Sequence, residues 1–222
     1  MKGITKRVGS LAFAAAFMFA VSQASAQVIN GGFEAASGAY TTGALGWSDF
    51  STPANNGSTA SAQRSLLDPF AGLAELTLAF QNSANPGIGP SVIAQSDIFG
   101  GMSPGAATLS FEAKRVGSAG FENNQVQVQW FDAGNAFLGA TGFQSYNGTL
   151  TPAYSLQSKN YVAPANTAKA LVQFLTAGSA NPNDFATVRI DEVTIVPEPA
   201  TLSLVGLGVL GAWLFGRKRP KS

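Results

Sequence analysis

The sequence predicts an all-β protein, an antiparallel β-sandwich that lies between an N-terminal signal peptide and a single C-terminal transmembrane helix. Three observations favour this fold class. Over residues 27–195 helical periodicity is nearly missing, and short runs alternate polar with apolar residues. Clusters of Gly, Pro, Asn and Ser separate these runs at a spacing that is typical of sandwiches. Both ends of the chain carry an apolar stretch next to basic residues.

Residues 1–26 have the three parts of a secretory signal peptide. Lys2, Lys6 and Arg7 precede an apolar stretch over residues 8–21, and Ala24-Ser25-Ala26 supplies a small-x-small cleavage site. We expect export by the Sec machinery and cleavage by signal peptidase after Ala26. The domain over residues 27–195 then faces the periplasm or the outside.

The clearest strand signal is the run over residues 125–130, where Gln alternates with an apolar residue without a break. This pattern places Val126, Val128 and Trp130 on one buried face. About nine strands at this spacing, with turn signals between them, argue for an antiparallel sandwich. The individual runs that predict strands are 73–80, 91–98, 108–116, 125–130, 136–141, 154–162, 168–175 and 187–196.

Three longer breaks between these runs are rich in Asn, Gly, Pro and Ser. They cover residues 52–62, 82–90 and 178–184. Such composition predicts surface loops, and loops are where binding residues usually lie.

The composition excludes several classes of function. Without the terminal segments and Glu198, the domain holds six basic and eleven acidic residues, a net charge of about −5 that excludes a nucleic-acid partner. The chain has no Cys and no His, which excludes disulfides, Ser-His-Asp and Cys-His nucleophiles and every His-ligated zinc site. The composition does not exclude a glycan hydrolase that uses two carboxylates, and the candidates for such a pair are Glu112, Glu122 and Asp132. Because the acidic residues are scattered, we predict no catalytic residue.

Residues 196–222 combine a chain breaker, a short apolar run and a basic end. Pro197-Glu198-Pro199 contains two prolines, each of which fixes φ and lacks an N–H donor, so a strand that enters from residue 196 should end there. The uncharged segment that follows predicts a transmembrane helix at about residues 201–216, near the lower length limit for a bilayer. Arg217, Lys218 and Arg219 then form a stop-transfer signal on the cytoplasmic side.

This order of three parts resembles the PEP-CTERM signal of Gram-negative bacteria. The resemblance implies that exosortase, a membrane protease-transpeptidase, reads Pro197, Glu198 and Pro199. The helix would hold the protein in the inner membrane until it is processed and moved to the cell surface or outside. The alternative is an ordinary C-terminal anchor with a proline hinge. The tail is a sorting signal, and family members tend to occur in bacteria that make an exopolysaccharide matrix.

The domain itself resembles jelly-roll carbohydrate-binding modules of the galactose-binding-like group. Val28-Ile29-Asn30-Gly31-Gly32-Phe33-Glu34, followed by Gly46-Trp47, is similar to the opening of these modules. Residues 188–195 are similar to their last strand, and the Ser103-Pro104-Gly105 turn fits the same order. The resemblance covers most of residues 28–196 as a pattern and implies a jelly-roll topology.

The same resemblance implies a structural calcium ion between the first and last strands. The family's carboxylate ligands correspond to Glu34 and Asp191, and Asn30 could add an oxygen. Calcium prefers several hard oxygen ligands, and two carboxylates brought together without an ion would repel each other. The alternative is that Glu34 and Asp191 are exposed charges at strand ends.

Sugar binding by such modules uses exposed aromatic side chains. Tyr40, Tyr146 and Tyr154 lie beside predicted loops and are the candidates for ligand contact. Trp47 and Trp130 are assigned to packing, because Trp130 continues an apolar strand face and Trp47 lies near the first motif.

Gln125, Gln127 and Gln129 share the other face of their strand. They would form either a polar face suited to sugar hydroxyls or a solvated sheet surface. The solvated surface is the interpretation that we favour.

These observations predict a non-catalytic, exported protein of the cell surface or extracellular matrix, sorted by an exosortase system, whose sandwich binds exopolysaccharide or is embedded in it. The first alternative is a structural or adhesive matrix protein, which would self-associate and show no saturable sugar binding. Further alternatives are a glycan-active hydrolase and an ice-binding protein. Ice binding would need flat Thr-rich or Ala-rich repeats, and the domain has none.

Overall fold

The computed structural model describes residues 28–53, 57–84, 89–118 and 122–198. These residues form twelve strands and one 3₁₀ turn at Asn147–Thr149. The strands are β1 (Trp47–Asp49), β2 (Thr59–Ser65), β3 (Glu75–Gln81), β4 (Ser91–Ser96), β5 (Phe99–Gly100), β6 (Gly105–Ser118), β7 (Asn123–Phe131), β8 (Phe137–Ala140), β9 (Gln144–Ser145), β10 (Ser155–Ala163), β11 (Lys169–Ala177) and β12 (Phe185–Pro197). Every pairing between these strands is antiparallel, which confirms the predicted fold class.

The strands divide into two sheets that face each other. The larger sheet has the order β1-β4-β11-β7-β8, and the short strands β5 and β9 pair with β11 and β7. The second sheet has the order β10-β6-β12-β3-β2. Consecutive strands such as β6 and β7, or β10 and β11, therefore lie in different sheets, which is the crossing pattern of jelly-roll sandwiches.

The core lies between the sheets and consists of the inward-facing side chains of both. The predicted alternation of β7 is confirmed, because Val126 and Val128 are fully buried and Trp130 is 2% exposed. Phe111 of β6 and Phe174 of β11 meet edge to face across the sandwich, with ring centroids 4.9 Å apart. Each such buried side chain contributes about 1.5 to 3 kcal/mol, and this burial is the main source of stability in a chain without cysteine.

Residues 28–46 close one end of the core. Phe33 and Trp47 are both fully buried, and their rings lie 5.1 Å apart. The assignment of Trp47 to packing is therefore confirmed. Trp47 Nε1 donates a 3.1 Å hydrogen bond to Ile29 O, which holds the N-terminal segment against the start of β1.

Two expectations about element boundaries are wrong. The predicted loop over residues 52–62 ends early, because β2 begins at Thr59 and pairs with β3 along its whole length. Its residues are small or polar, so the hydrophobic signal of a strand is missing although Ala62 is fully buried. The predicted strand over residues 91–98 ends two residues early, because β4 stops at Ser96 and the N–H group of Asp97 donates to Gly46 O outside the sheet.

The last strand continues into the proline motif. β12 lies between β6 and β3 and runs to Pro197, one residue further than predicted. Pro197 is buried opposite Ala107, and the N–H group of Glu198 donates to Ala106 O over 2.8 Å. A proline is tolerated at this strand end, where only one ladder donor is lost.

Several predicted segments lie outside the described residues. They are the signal peptide over residues 1–26, Pro199, the transmembrane helix at about residues 201–216, and Arg217, Lys218 and Arg219. Within the described ranges, no helix is long and apolar enough to cross a membrane. Among the described residues, the hydrophobic core extends from Val28 to Ile195.

Candidate functional site

Glu34 and Asp191, the predicted calcium ligands, both hold the β2–β3 loop, which we define as residues 66–74. Asp191 Oδ2 accepts hydrogen bonds of 3.0 Å from the N–H groups of Phe70 and Ala71. The Glu34 carboxylate accepts hydrogen bonds of 2.8 to 3.1 Å from the N–H groups of Leu73 and Ala74. The first segment and the last strand therefore both contact the β2–β3 loop.

Asp191 is fully buried, while Glu34 is exposed. Burial raises the pKa of the Asp191 carboxyl to about 6, and the neighbouring Glu192 charge also raises it. The hydrogen bonds from backbone N–H groups act in the opposite direction and partly stabilise the charge. Ionised Asp191 is thus an incompletely compensated buried charge.

The residues around this carboxylate pair do not form a calcium shell as they are placed. Calcium takes about six to eight oxygen ligands, whereas Glu34 and Asp191 here face backbone N–H groups. Asn30, the third predicted ligand, uses its amide elsewhere: Oδ1 accepts from Ala35 N–H at 2.9 Å, and Nδ2 donates to Ala35 O and Leu45 O. In the part of the chain that the structure describes, no group of three or more acidic side chains has metal-binding geometry. The geometry shows that Glu34 and Asp191 hold the loop through hydrogen bonds to its backbone, and calcium binding stays a prediction.

A network of charged groups lies between the β2–β3 loop and the second sheet. Glu75 is fully buried, and its Oε1 lies 3.1 Å from Arg189 Nε. Lys114 forms an ion pair with Asp68 of the loop and also donates to Asp68 O. Tyr154 donates a 2.6 Å hydrogen bond to Glu75 Oε2, and Lys114 Nζ lies 4.1 Å from the centre of its ring. The opposite charges of this network compensate one another, because an unpaired charge buried between the loop and the sheet would carry a large desolvation cost.

Tyr154 is therefore part of this charged network, and its ring is not a free surface on which a sugar could stack. Its ring meets Phe70 edge to face at 5.5 Å. Burial, and after it the hydrogen bond to the Glu75 side chain, raises the pKa of the Tyr154 hydroxyl. Its role in ligand binding stays untested, but its hydroxyl is already engaged.

Tyr146 does not lie at the surface, so the expectation of an exposed ligand-binding side chain is wrong at this position. Tyr146 is 2% exposed, and its ring meets Phe111 edge to face at 5.2 Å in the core. Tyr40 is half-buried and donates a 2.6 Å hydrogen bond to Asp97 Oδ2, which raises the pKa of the Tyr40 hydroxyl. The three predicted tyrosines thus have separate partners and form no common stacking surface.

A row of amide side chains crosses the outward face of the larger sheet. Gln127 Nε2 of β7 donates to Gln173 Oε1 of β11, and Gln173 Nε2 donates to Gln95 Oε1 of β4 over 3.1 Å. The strand register places these three residues side by side. We call Gln95, Gln173 and Gln127 the amide row; all three are half-buried. Sequence reasoning found only Gln127, because the partners come from strands that are distant along the chain.

A cleft of about 280 Å³ opens where the edge strand β10 of the second sheet lies beside β8 of the larger sheet. We call it the edge cleft. Sequence reasoning did not find it, since it is formed by two strands that are not paired. Its lining consists of Trp130, Gly139, Ala140, Thr141, Gln144, Asn160, Tyr161, Val162 and Pro164.

The three carboxylates considered for a hydrolase have unrelated partners. Asp132 Oδ1 accepts 2.8 Å hydrogen bonds from two N–H groups of the turn between β7 and β8. Glu122 Oε1 lies 2.7 Å from Arg115 Nε in an ion pair. Glu112 is half-buried, and burial raises the pKa of its carboxyl. None of the contacts described for these residues joins two of them.

One segment of the chain matches a known sequence family. Residues 196–219 match the family described as the PEP-CTERM protein-sorting motif. The C-terminal tail is a PEP-CTERM sorting motif. The motif implies export, a membrane-anchored C-terminal sorting signal and processing by an exosortase. No curated protein matches the chain in sequence.

The first two residues of the PEP element, Pro197 and Glu198, belong to the folded sandwich. Pro197 lies in the ladder between β12 and β6, and Glu198 N–H is bonded to Ala106 O. The carboxylate of Glu198 also lies 3.4 Å from Thr108 Oγ1. A protease that reads the PEP element as a free extended segment must first lift Pro197 and Glu198 from β6.

Comparison with solved structures supports the fold. A carbohydrate-binding module of the β-sandwich superfamily is similar with a TM-score of 0.50 and 12% identity, over 80% of this chain and 63% of that chain. The chain thus spans less than two thirds of that structure's length. A C-terminal family 22 carbohydrate-binding module from a Clostridium thermocellum xylanase is similar with a TM-score of 0.45 and 14% identity, over 76% and 92% of the two chains. A family 61 module in complex with β-1,4-galactotriose is similar with a TM-score of 0.44 and 12% identity, over 78% of this chain and 99% of that chain.

Proposed function

We propose that this protein is a non-catalytic component of the cell surface or extracellular matrix, and that its sandwich binds exopolysaccharide through the amide row. The PEP-CTERM motif supplies the export route. The observation that carries the binding proposal is the cross-strand row of Gln95, Gln173 and Gln127 on the outward face of the larger sheet.

The chemistry of the amide row suits sugar hydroxyls. Each glutamine amide offers both a donor and an acceptor, so neighbouring amides can bond a hydroxyl that acts in both ways. The hydrogen bonds within the row fix the rotamers of Gln127 and Gln173 and lower the entropy lost on binding. Half-buried apolar residues on the same face, such as Ile93 and Leu175, provide contact for the C–H faces of a sugar ring. The similar sandwiches include carbohydrate-binding modules, which supports the class of ligand by analogy only.

The test uses the full chain in a detergent without a sugar headgroup, titrated with the exopolysaccharide of the host. We expect saturable binding that the Gln173→Ala variant weakens by about tenfold, because the central amide of the row is lost. Gln63→Ala is the matched control, since Gln63 is an exposed glutamine of β2 in the other sheet. Absence of saturable binding, or equal loss in both variants, would contradict the proposal.

Self-association is the second candidate function, and the β2–β3 loop favours it. Leu67 is 80% exposed and Leu73 is 75% exposed, and Leu66 and Phe70 add further apolar surface to the same loop. Clustered apolar side chains on a loop held firmly by Glu34 and Asp191 suit contact between protein copies. Sedimentation of the full chain and of a Leu67→Ser, Leu73→Ser variant distinguishes the candidates: a matrix adhesin loses its oligomers, whereas a glycan-binding monomer is unchanged.

Calcium binding at Glu34 and Asp191 is a separate proposal. What supports it is the buried Asp191 carboxylate, whose charge a cation would offset. Thermal unfolding with calcium and with a chelator tests it. A calcium-dependent rise in melting temperature that Asp191→Asn and Glu34→Gln both abolish supports the site, and an unchanged melting temperature of the unaltered chain rejects it.

A further inference from the structure

The last strand leaves the sandwich at an end that connections between strands of both sheets form. At this point the N–H group of Glu198 donates to Ala106 O, near the start of β6. Residues 101–104 connect β5 to β6 here, residues 132–136 connect β7 to β8, and residues 164–168 connect β10 to β11. The strand registers bring these three connections to the same end of the sandwich. We call the surface that they form the tail-proximal end.

Glu198 holds the tail-proximal end close to the predicted membrane segment. The sorting motif over residues 196–219 implies a membrane-anchored signal, and its apolar run begins at about residue 201. An extended chain advances at most about 3.5 Å per residue, so the start of the run lies within roughly 11 Å of Glu198. The headgroup region on each side of a bilayer core is about 5 to 7 Å thick. The tail-proximal end therefore stays within a few ångströms of the lipid surface while the tail is attached.

The tail-proximal end carries little charge. Among its three connections, all of which the structure describes, Asp132 is the one charged residue, and its carboxylate accepts two hydrogen bonds within its own turn. Lys169, at the start of β11, donates to Asn135 Oδ1 of the same turn over 2.7 Å. Asp132 and Lys169 cancel, so the net charge of about −5 lies elsewhere in the domain, and Glu198 is the remaining charge at this end. Because anionic lipids repel acidic groups that come within a Debye length, this end is suited to approach a membrane.

Both sheets expose a large apolar side chain at the rim of the tail-proximal end. Phe137 begins β8 and is 61% exposed, and Val162, near the end of β10, is 78% exposed. Val162 lies opposite Ala106 in the ladder of β10 and β6, next to the point where Glu198 is bonded. Phe137 packs against Phe131 of β7, with ring centroids 5.8 Å apart. Apolar side chains held this close to lipid gain free energy by entering the interface.

We propose that the tail-proximal end rests on the lipid surface as long as the sorting tail is attached, with Phe137 and Val162 in the interfacial region. The short connection after Glu198 keeps the domain at the membrane, and the two apolar side chains orient it. The amide row lies on the outward face of the larger sheet, so this contact leaves it open to solvent. The proposal rests on the membrane-anchored sorting signal and not on glycan binding.

The test uses single cysteines as sites for a fluorophore, because the chain has no cysteine of its own. Ala165→Cys lies in the tail-proximal end, and Ala180→Cys lies in the connection between β11 and β12; both alanines are exposed. The nine residues of β11 separate the two positions by about 30 Å. The exported chain with its C-terminal tail is reconstituted in vesicles of phosphatidylethanolamine and phosphatidylglycerol that carry a quencher on the headgroup. We expect strong quenching of the Ala165→Cys label and little quenching of the Ala180→Cys label.

A second comparison separates lipid contact from the effect of the tether alone. In the Ala165→Cys chain, Phe137→Ser together with Val162→Ser should lower the quenching by about half or more, because the apolar groups that enter the interface are lost. Leu156→Ser is the matched control and should leave the quenching unchanged, since Leu156 is 65% exposed on the same face of β10 but at the other end of that strand.

Three results would overturn the proposal. They are loss of the chain from the vesicles, equal quenching of the Ala165→Cys and Ala180→Cys labels, and an effect of the Phe137 and Val162 changes no larger than that of Leu156→Ser. Glycan binding is measured in detergent without a membrane, so a failure of either proposal leaves the other in place.

Discussion

Asp191 shows how position in the fold changes the chemistry of one carboxylate. It is an ordinary acidic residue in the sequence, but in the sandwich it lies fully buried at a β-bulge of β12 and accepts three backbone hydrogen bonds. Burial outweighs these bonds, so the pKa lies at about 6 in the folded protein, against about 3.9 for an unperturbed aspartate. The folded protein therefore binds more protons than the unfolded chain between these two values.

The consequence is a stability that falls as pH rises from about 4 to about 6, by on the order of 1 to 3 kcal/mol from this residue. The comparison is urea unfolding of residues 27–198, with and without Asp191→Asn, at pH 4.5 and pH 7 in a chelator. We expect the unaltered domain to lose stability relative to the variant as pH rises. If the difference in unfolding free energy between the unaltered domain and Asp191→Asn is the same at both pH values, the raised pKa of Asp191 is contradicted.

Glu75 gives a second prediction for a single residue. Replacement by Ala leaves Arg189 without its closest carboxylate and frees the Tyr154 hydroxyl. Because Arg189 is 9% exposed, we expect a loss of about 3 to 5 kcal/mol in the free energy of unfolding.

Urea unfolding measures this loss, and Asp68→Ala is the control from the same network, since the Asp68 side chain is 66% exposed and its loss should cost about 1 kcal/mol or less. Equal losses in the two variants would show that burial does not set the strength of this network.

The β2–β3 loop connects the first segment of the domain with the last strand through hydrogen bonds. Glu34 and Asp191 hold its backbone N–H groups, and Lys114 holds Asp68 at its beginning. The loop can approach the Glu34 carboxylate so closely because Gly72 has no side chain there. Gly72 also has φ of +66°, which favours glycine.

Gly72→Ala is therefore expected to destabilise the domain by about 1 to 3 kcal/mol, because its Cβ would overlap the Glu34 carboxylate and the φ angle is unfavourable. Gly38→Ala is the matched control, since nothing lies within 4 Å of the Cβ it would introduce. Thermal unfolding of the two variants measures the difference. Equal melting temperatures would mean that the loop moves away from Glu34 without cost.

At the scale of the whole molecule, β12 connects the sandwich directly to the sorting signal. The strand is interior, and its last hydrogen bond to β6 comes from Glu198 inside the PEP element. Lifting Pro197 and Glu198 removes about one backbone hydrogen bond and some buried surface, a cost of roughly 1 to 1.5 kcal/mol. The fraction of molecules with a free PEP element is then reduced by about five- to tenfold.

A flexible Gly-Ser linker inserted between Val196 and Pro197 should remove this cost and speed exosortase processing by a similar factor. Pulse-chase labelling in the host measures the conversion of the membrane-bound form. The same linker inserted after Pro152, in an exposed segment, controls for the insertion itself. Unchanged or slower processing would show that the docked residues do not limit recognition.

Local sequence patterns are sufficient to predict the fold class and the sorting signal. Period-2 alternation in runs such as residues 125–130 is a local property, so the buried faces of Val126, Val128 and Trp130 could be assigned without any tertiary contact. The order of proline motif, apolar run and basic end is local as well, and the match over residues 196–219 confirms the sorting motif. β2 was missed because its small and polar residues carry no hydrophobic signal.

Contacts between residues that are distant along the chain follow from strand pairing and could not be predicted from those patterns. The amide row needs the register of three strands, Tyr146 is buried because Phe111 of another sheet covers it, and the edge cleft exists between two unpaired strands. The N–H partners of Glu34 and Asp191 likewise come from a loop that is distant in sequence. Each of these depends on long-range strand pairing, and a shift of one residue in register would turn every side chain to the opposite face. Local patterns do not contain that information, so they do not predict which side chains share a surface of the sandwich.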